Sequence, residues 1–158
     1  MHSFKLIGLV LLLCSGILAS LLLSRFEQHR YKQAEGFLAL LRHIRLQIDC
    51  FSLPVSRILT TLPSQIREAA TLPDDARDFG ELLESTSLLL PEDMCELLAS
   101  FSTDLGASYR EDQLRCCDFY ITRFAPHCER MREELPRRTR LALLLPLALA
   151  LSLALLLI

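Results

Sequence analysis

Between Gln113 and Leu135, apolar or small side chains recur at Leu114, Cys117, Ile121, Phe124, Cys128, Met131 and Leu135. Spacings of three and four in alternation belong to a helix that lays one seam along another helix. The stretch before it has a matching face, Met94, Leu98, Phe101 and Leu105, introduced by Pro91, which suits a helix start. Between the two stretches stand Gly106, suited to a left-handed helix stop, and Ser108-Tyr109-Arg110-Glu111, which has the S-x-x-E form of a capping box. The pattern predicts a tight antiparallel hairpin with positive φ at Gly106 and a Ser108 cap. Leu98, Phe101 and Leu105 are expected to face Leu114, Cys117 and Ile121. Pro126 is expected to kink the second helix and Pro136 to break it.

Upstream, Ala34, Phe37, Leu41, Ile44 and Ile48 mark one face of a continuous helix from Phe26, with Arg30, Glu35, Arg42 and Arg45 off that face. Ser52-Leu53-Pro54 predicts a turn and a serine-capped helix from Pro54 to about Leu62. Pro63 and Pro73 bracket a short segment with Ile66, Ala69 and Ala70 on its apolar side. Asp74 and Asp75 suit the positive end of a helix to about Ser87, with Ala76, Phe79, Leu82 and Leu83 inward. Gly80 weakens that helix by about 1 kcal/mol relative to alanine. No alternating strand pattern is present, so the fold class expected is all-α.

Two apolar runs close the chain at its ends. Leu6 to Ser24 is 19 residues without a charge and Leu141 to Ile158 is 18 more. Each would reach roughly 27 Å as helix, close to the hydrocarbon thickness. A cleaved signal sequence is disfavoured because Leu21, Leu22 and Leu23 continue the first run. A lipoprotein site at Cys14 is disfavoured by the bulky Leu13 before it. The organisation expected is therefore an N-terminal transmembrane anchor over 1–25, a small helical bundle over 26–140 and a C-terminal transmembrane helix over 141–158. Arg25, Arg30 and Lys32 follow the first run, and Arg130, Arg132, Arg137, Arg138 and Arg140 precede the second, which predicts a cytoplasmic bundle. The same arginines suit an anionic membrane surface at about 1 kcal/mol each.

Composition adds little to this and excludes more. The 158 residues are 51% hydrophobic with a net charge of −2, which leaves room for one domain. The six cysteines include no CxxC pair and no histidine at ligand spacing, so neither a zinc site nor any other cofactor is expected. Cys117 and Cys128 lie on the apolar seam as small core residues, and His127 reads as a solvated or capping residue. There is no phosphate loop, nucleotide fingerprint or nucleophile elbow. Glu111, Asp112 and Gln113 suit a helix start. Glu129, Glu133 and Glu134 interleave the arginines, which argues against nucleic acid and for charge snorkelling at an interface. The competing class, a membrane-bound enzyme or sensor, would have to use Cys95, Cys116 or Asp112.

The whole chain resembles the stage III sporulation protein AB family of endospore-forming bacteria. The resemblance rests on an opening Lys5-Leu6-Ile7-Gly8, a leucine-rich first helix ending near Ile48 and a Leu53-Pro54 turn. It rests further on Leu105, Gly106, Ser108 and Gln113, which match the motif Leu-Gly-x-Ser-Asp-x-x-x-Gln, and on a terminal Leu156-Leu157-Ile158. Tyr109 stands at the motif's usual aspartate, and the last run carries Ala142 and Pro146 where glycines are usual. The resemblance implies a non-catalytic membrane component of a channel-like complex between mother cell and forespore, similar to the platform proteins of type II secretion and type IV pilus systems. It also implies coupling of a cytoplasmic secretion-type ATPase to the other membrane components.

Overall fold

The computed structural model describes residues 2–73, 78–105 and 109–157, apart from the side chains of residues 2–7, 9, 12, 13, 154, 156 and 157. Six helices follow one another: α1 (His2–Phe51), α2 (Val55–Thr60), α3 (Ser64–Ala70), α4 (Phe79–Ser85), α5 (Glu92–Asp104) and α6 (Arg110–Leu157). No strand occurs among the described residues, as the all-α expectation requires. The chain divides into two compact units, residues 30–131 and the paired terminal segments 1–29 and 132–158.

In the 30–131 unit, α1 is the central element. Ala34, Phe37, Leu41, Ile44 and Ile48 are buried as their spacing predicts, but Gln33, Gly36, Leu38 and Leu40 are buried too. The helix is therefore covered on several sides and not along one stripe. At Gly36 the end of α3 presses directly on the helix. A β-carbon there would lie 2.4 Å from the Ala70 nitrogen and 2.6 Å from the Ala69 carbonyl carbon. One turn earlier, the Gln33 amide donates to the carbonyls of Ser87 (2.9 Å) and Ala70 (3.4 Å), and its oxygen accepts from the Leu89 amide at 2.7 Å. One buried side chain thus satisfies a free carbonyl at the end of α3 and two backbone groups of the loop before α5.

α3 reaches this contact through a left-handed stop at Thr71 (φ 60°, ψ 44°), after which the Leu72 amide bonds back to the Arg67 carbonyl at 2.9 Å and buries its leucine. The arrangement is the glycine-type helix end, made here by a β-branched residue at a cost of about 1–2 kcal/mol. Around the other side of the core, Phe79, Phe101 and Tyr120 stack edge to face, with centroids 5.0 and 5.4 Å apart. This joins α4, α5 and α6, each pair contributing about 0.5–1.5 kcal/mol beyond area burial.

Several expectations are corrected. α2 starts at Val55 behind Pro54, with no side-chain cap, and Ser52 instead ends α1 at φ 50°. Described helix after Pro73 begins at Phe79 and ends at Ser85, short of Ser87, while Asp74, Asp75 and Ala76 lie outside the described residues. Pro136 does not break α6, which runs unbroken through Pro126, Pro136 and Pro146. Pro126 and Pro136 are exposed, as are Thr122 and Arg132 four residues before them, so water can satisfy the carbonyls the prolines free. Among the described residues no helix is long and apolar enough to cross a membrane, so flanking transmembrane helices are not part of the fold as described. The two apolar runs fall on the outer parts of α1 and α6.

Gly36→Ala opposes two effects. Alanine gains about 1 kcal/mol of helix propensity, but a rigid backbone stands where its methyl must go, and overpacking of that kind costs about 1–3 kcal/mol or more. Urea unfolding of residues 26–135 is expected to show a net loss of about 2 kcal/mol for Gly36→Ala and a gain of about 1 kcal/mol for Thr71→Gly. A stabilised Gly36→Ala would refute the close approach.

Candidate functional site

The turn between α5 and α6 carries the sequence motif. Leu105 closes α5 in extended conformation (φ −78°, ψ 126°) and is half-buried, with its amide bonded to the Phe101 carbonyl at 2.9 Å. Gly106 and Ser108 lie outside the described residues. The Gln113 amide donates to the Tyr109 carbonyl at 3.0 Å, which closes the first turn of α6, and the Tyr109 ring is 88% exposed.

Two contacts not anticipated from sequence tie the helices on either side of this turn. Arg110 reaches the end of α1, donating to the Ile48 carbonyl at 3.3 Å and to the Asp49 carbonyl and carboxylate. It supplies donors and positive charge where a helix exposes free carbonyls. The Tyr120 hydroxyl donates to the Asp104 carboxylate at 2.6 Å, tying the last turn of α5 to α6. Phe101 therefore meets Tyr120, a residue outside the predicted set of Leu114, Cys117 and Ile121; Cys117 is buried while Leu114 and Ile121 are half-buried. Arg45 adds an exposed bridge from α1 to Asp118 of α6 at 2.6 Å, and the Cys128 thiol donates to the Ala34 carbonyl at 3.5 Å.

The terminal unit packs by an opposite rule. Gly16, Ser20 and Ser24 are buried at steps of four along α1, and Ala150 is buried on α6. A β-carbon on Gly16 would stand 2.6 Å from that of Ala150. The Ser20 hydroxyl shares its proton between the Gly16 carbonyl (2.8 Å) and the Leu143 carbonyl (3.0 Å). Leu143 is next to Ala142, whose carbonyl loses its helical donor to Pro146. Leu11, Leu18, Leu22, Leu144, Leu145, Leu149, Leu151 and Leu155 point outward, each more than half exposed. The small residues at steps of four were visible in the sequence and could have announced this seam.

The basic cluster stays on the surface. Arg130, Arg132, Arg137, Arg138 and Arg140 are all exposed along α6, and Arg138 pairs with Glu134 one turn earlier at 2.7 Å. The candidate chemical groups lie on two helices. Cys95 lies half-buried on α5, Cys116 half-buried on α6, and Asp112 exposed one turn before Cys116. Burial pushes the thiols of Cys95 and Cys116 up from their ordinary range, and those of Cys117 and Cys128 up to about 12 and about 11. Cys117 and Cys128 are core residues, as their seam positions predicted. His127 is half-buried, its Nδ1 3.9 Å from the Asp93 carboxylate.

These features define an all-helical protein with a bundle in which α1, α5 and α6 are tied by Arg110 and Tyr120, and with terminal segments paired through small residues. The chain belongs to the stage III sporulation protein AB family, whose family model matches residues 74–158, more than half of its length. Its role accordingly lies in stage III of sporulation. No curated protein and no solved structure gave a match.

Burial first, and then the bond to Asp104, push the Tyr120 phenol up to about 12. A group whose folded pKa is raised stabilises the fold below its unfolded value, near 10, and loses that contribution as pH rises through the folded value. Tyr120→Phe is expected to lower stability by about 1–2 kcal/mol at neutral pH and to remove the part of the alkaline stability loss that falls between about pH 10 and about pH 12. Parallel pH profiles for the two proteins would show that the phenol has no such role.

Proposed function

We propose that this protein is a non-enzymatic membrane scaffold of stage III sporulation. Its two ends, residues 6–24 and 141–158, lie in the mother-cell membrane. Its bundle faces the cytoplasm, where it couples a secretion-type ATPase to the other membrane components of the complex. The observation that carries this reading is the inverted packing of the terminal pair.

In water, a helix pair gains by hiding leucine and showing serine, with about 1.5–3 kcal/mol at stake for each large side chain. Here Gly16, Ser20, Ser24 and Ala150 are inside and the leucines outside. A surface of that kind fits hydrocarbon, where leucine gains nothing by leaving lipid and close backbone approach with shared hydroxyl bonds drives association. The support for spans comes from this pairing and not from any one helix. Arg25, Lys32 and the exposed arginines 130–140 then sit on the side where basic residues stay, and suit anionic headgroups. The family places the protein in sporulation. The thiols of Cys95 and Cys116, which burial pushes up from their ordinary range, favour assembly over catalysis.

Three measurements on the full chain separate the parts of this reading. Alkaline extraction of membranes is expected to leave wild type in the pellet, and release would overturn the spans. With Cys50 replaced by serine, a cysteine introduced at exposed Glu68 is expected to resist an impermeant maleimide in intact cells and to react after permeabilisation. Labelling in intact cells would reverse the orientation. The membrane-held chain is expected to retain the ATPase through purification, and its absence would remove the scaffold role while leaving the spans standing.

A further inference from the structure

We infer that the exposed face where α5 meets α6 is the contact between two copies of this chain. A shallow groove of about 360 Å³ runs there, with Asp93 and Glu96 on the α5 wall, Arg123 and His127 on the α6 wall, and Leu97 and Ser100 between. One wall carries two carboxylates and the other the Arg123 guanidinium with the His127 imidazole. Asp93 and His127 face each other across the groove at 3.9 Å. Among the described residues, Glu96 and Arg123 have no ion-pair partner, and the Arg123 guanidinium instead lies 4.3 Å from the centre of the half-exposed Phe119 ring.

The two helices are antiparallel, since Asp93 is beside His127 and Asp104 beside Tyr120. Moving from Asp93 to Glu96 climbs about 4.5 Å, and moving from His127 back to Arg123 climbs about 6 Å in the same direction. The acidic and basic rows therefore run in step. A second copy turned by a two-fold axis parallel to the helices lays its α5 over the first copy's α6. Each Asp93 then meets a partner His127 and each Glu96 a partner Arg123, with Leu97 and Phe119 beside them. An isologous contact requires self-complementarity of this kind. A partner of one charge sign would be attracted by one wall and repelled by the other, so the charge pattern selects a second copy over an acidic or a basic protein.

The test uses the full chain in detergent micelles, with energy transfer between donor- and acceptor-labelled copies. Wild type is expected to associate at micromolar concentration. Arg123→Glu and Glu96→Arg are each expected to weaken association at least ~10-fold, because each places like charges opposite one another. An equimolar mixture of the two variants is expected to associate as wild type does. In the mixed pair, native Glu96 meets native Arg123 on one side, and the two reversed charges meet on the other. Circular dichroism is expected to show both variants folded, and if Arg123→Glu is not, Arg123→Ala and Glu96→Gln are expected to weaken association by smaller factors. A monomeric wild type, association indifferent to these changes, or a mixture no tighter than its components would each overturn the assignment.

Discussion

The bundle depends on the absence of a side chain at Gly36. With only hydrogen there, the backbone of Ala69 and Ala70 comes into contact with α1, and the Gln33 amide one turn away reaches both that segment and the loop leading to α5. The left-handed Thr71 follows from the same requirement, because α3 must stop where it touches α1 and the chain must turn back at once toward the core with Leu72. A strained β-branched residue persists there because the surrounding contacts over-determine it.

Two packing rules operate in one chain. In the 30–131 unit Phe37, Phe79, Phe101 and Phe124 fill the interior and charges lie outside. In the terminal unit glycine, alanine and serine hold the contact and leucines form the surface. The same two helices, α1 and α6, supply both. A position in them has meaning only with its unit: a serine at 20 is an interior residue, whereas a leucine at 18 is not.

The helical class, the α1 face and the α5 and α6 stripes were legible because each is periodic within one element, and Cys117 and Cys128 followed from the same period. What escaped was set by partners distant in sequence. Gly36, Gln33 and Arg110 carry no periodic signal, and their roles are set by the end of α3 and by the carbonyls of Ser87 and Ile48. Tyr120 lies one residue off the apolar stripe and is drawn inward by Asp104 and Phe101. Pro136 does not break α6 because it and Arg132, whose carbonyl it frees, lie on the exposed side of the helix. Of the motif, Leu105 closes α5 and Gln113 lies in the first turn of α6.

The antiparallel contacts of α1 with α6 are ordered along the chain. Asp49 meets Arg110 over a separation of 61 residues, Arg45 meets Asp118 over 73, Ala34 meets Cys128 over 94 and Ser20 meets Leu143 over 123. Each is available to a growing polypeptide only after the one before it. Once the Arg110 clasp has formed, every later contact closes a short additional loop, so the entropy of bringing the two termini together is lost in small instalments and not at once. Synthesis from the ribosome thus makes these contacts available one after another, with the partner of Ser20 last.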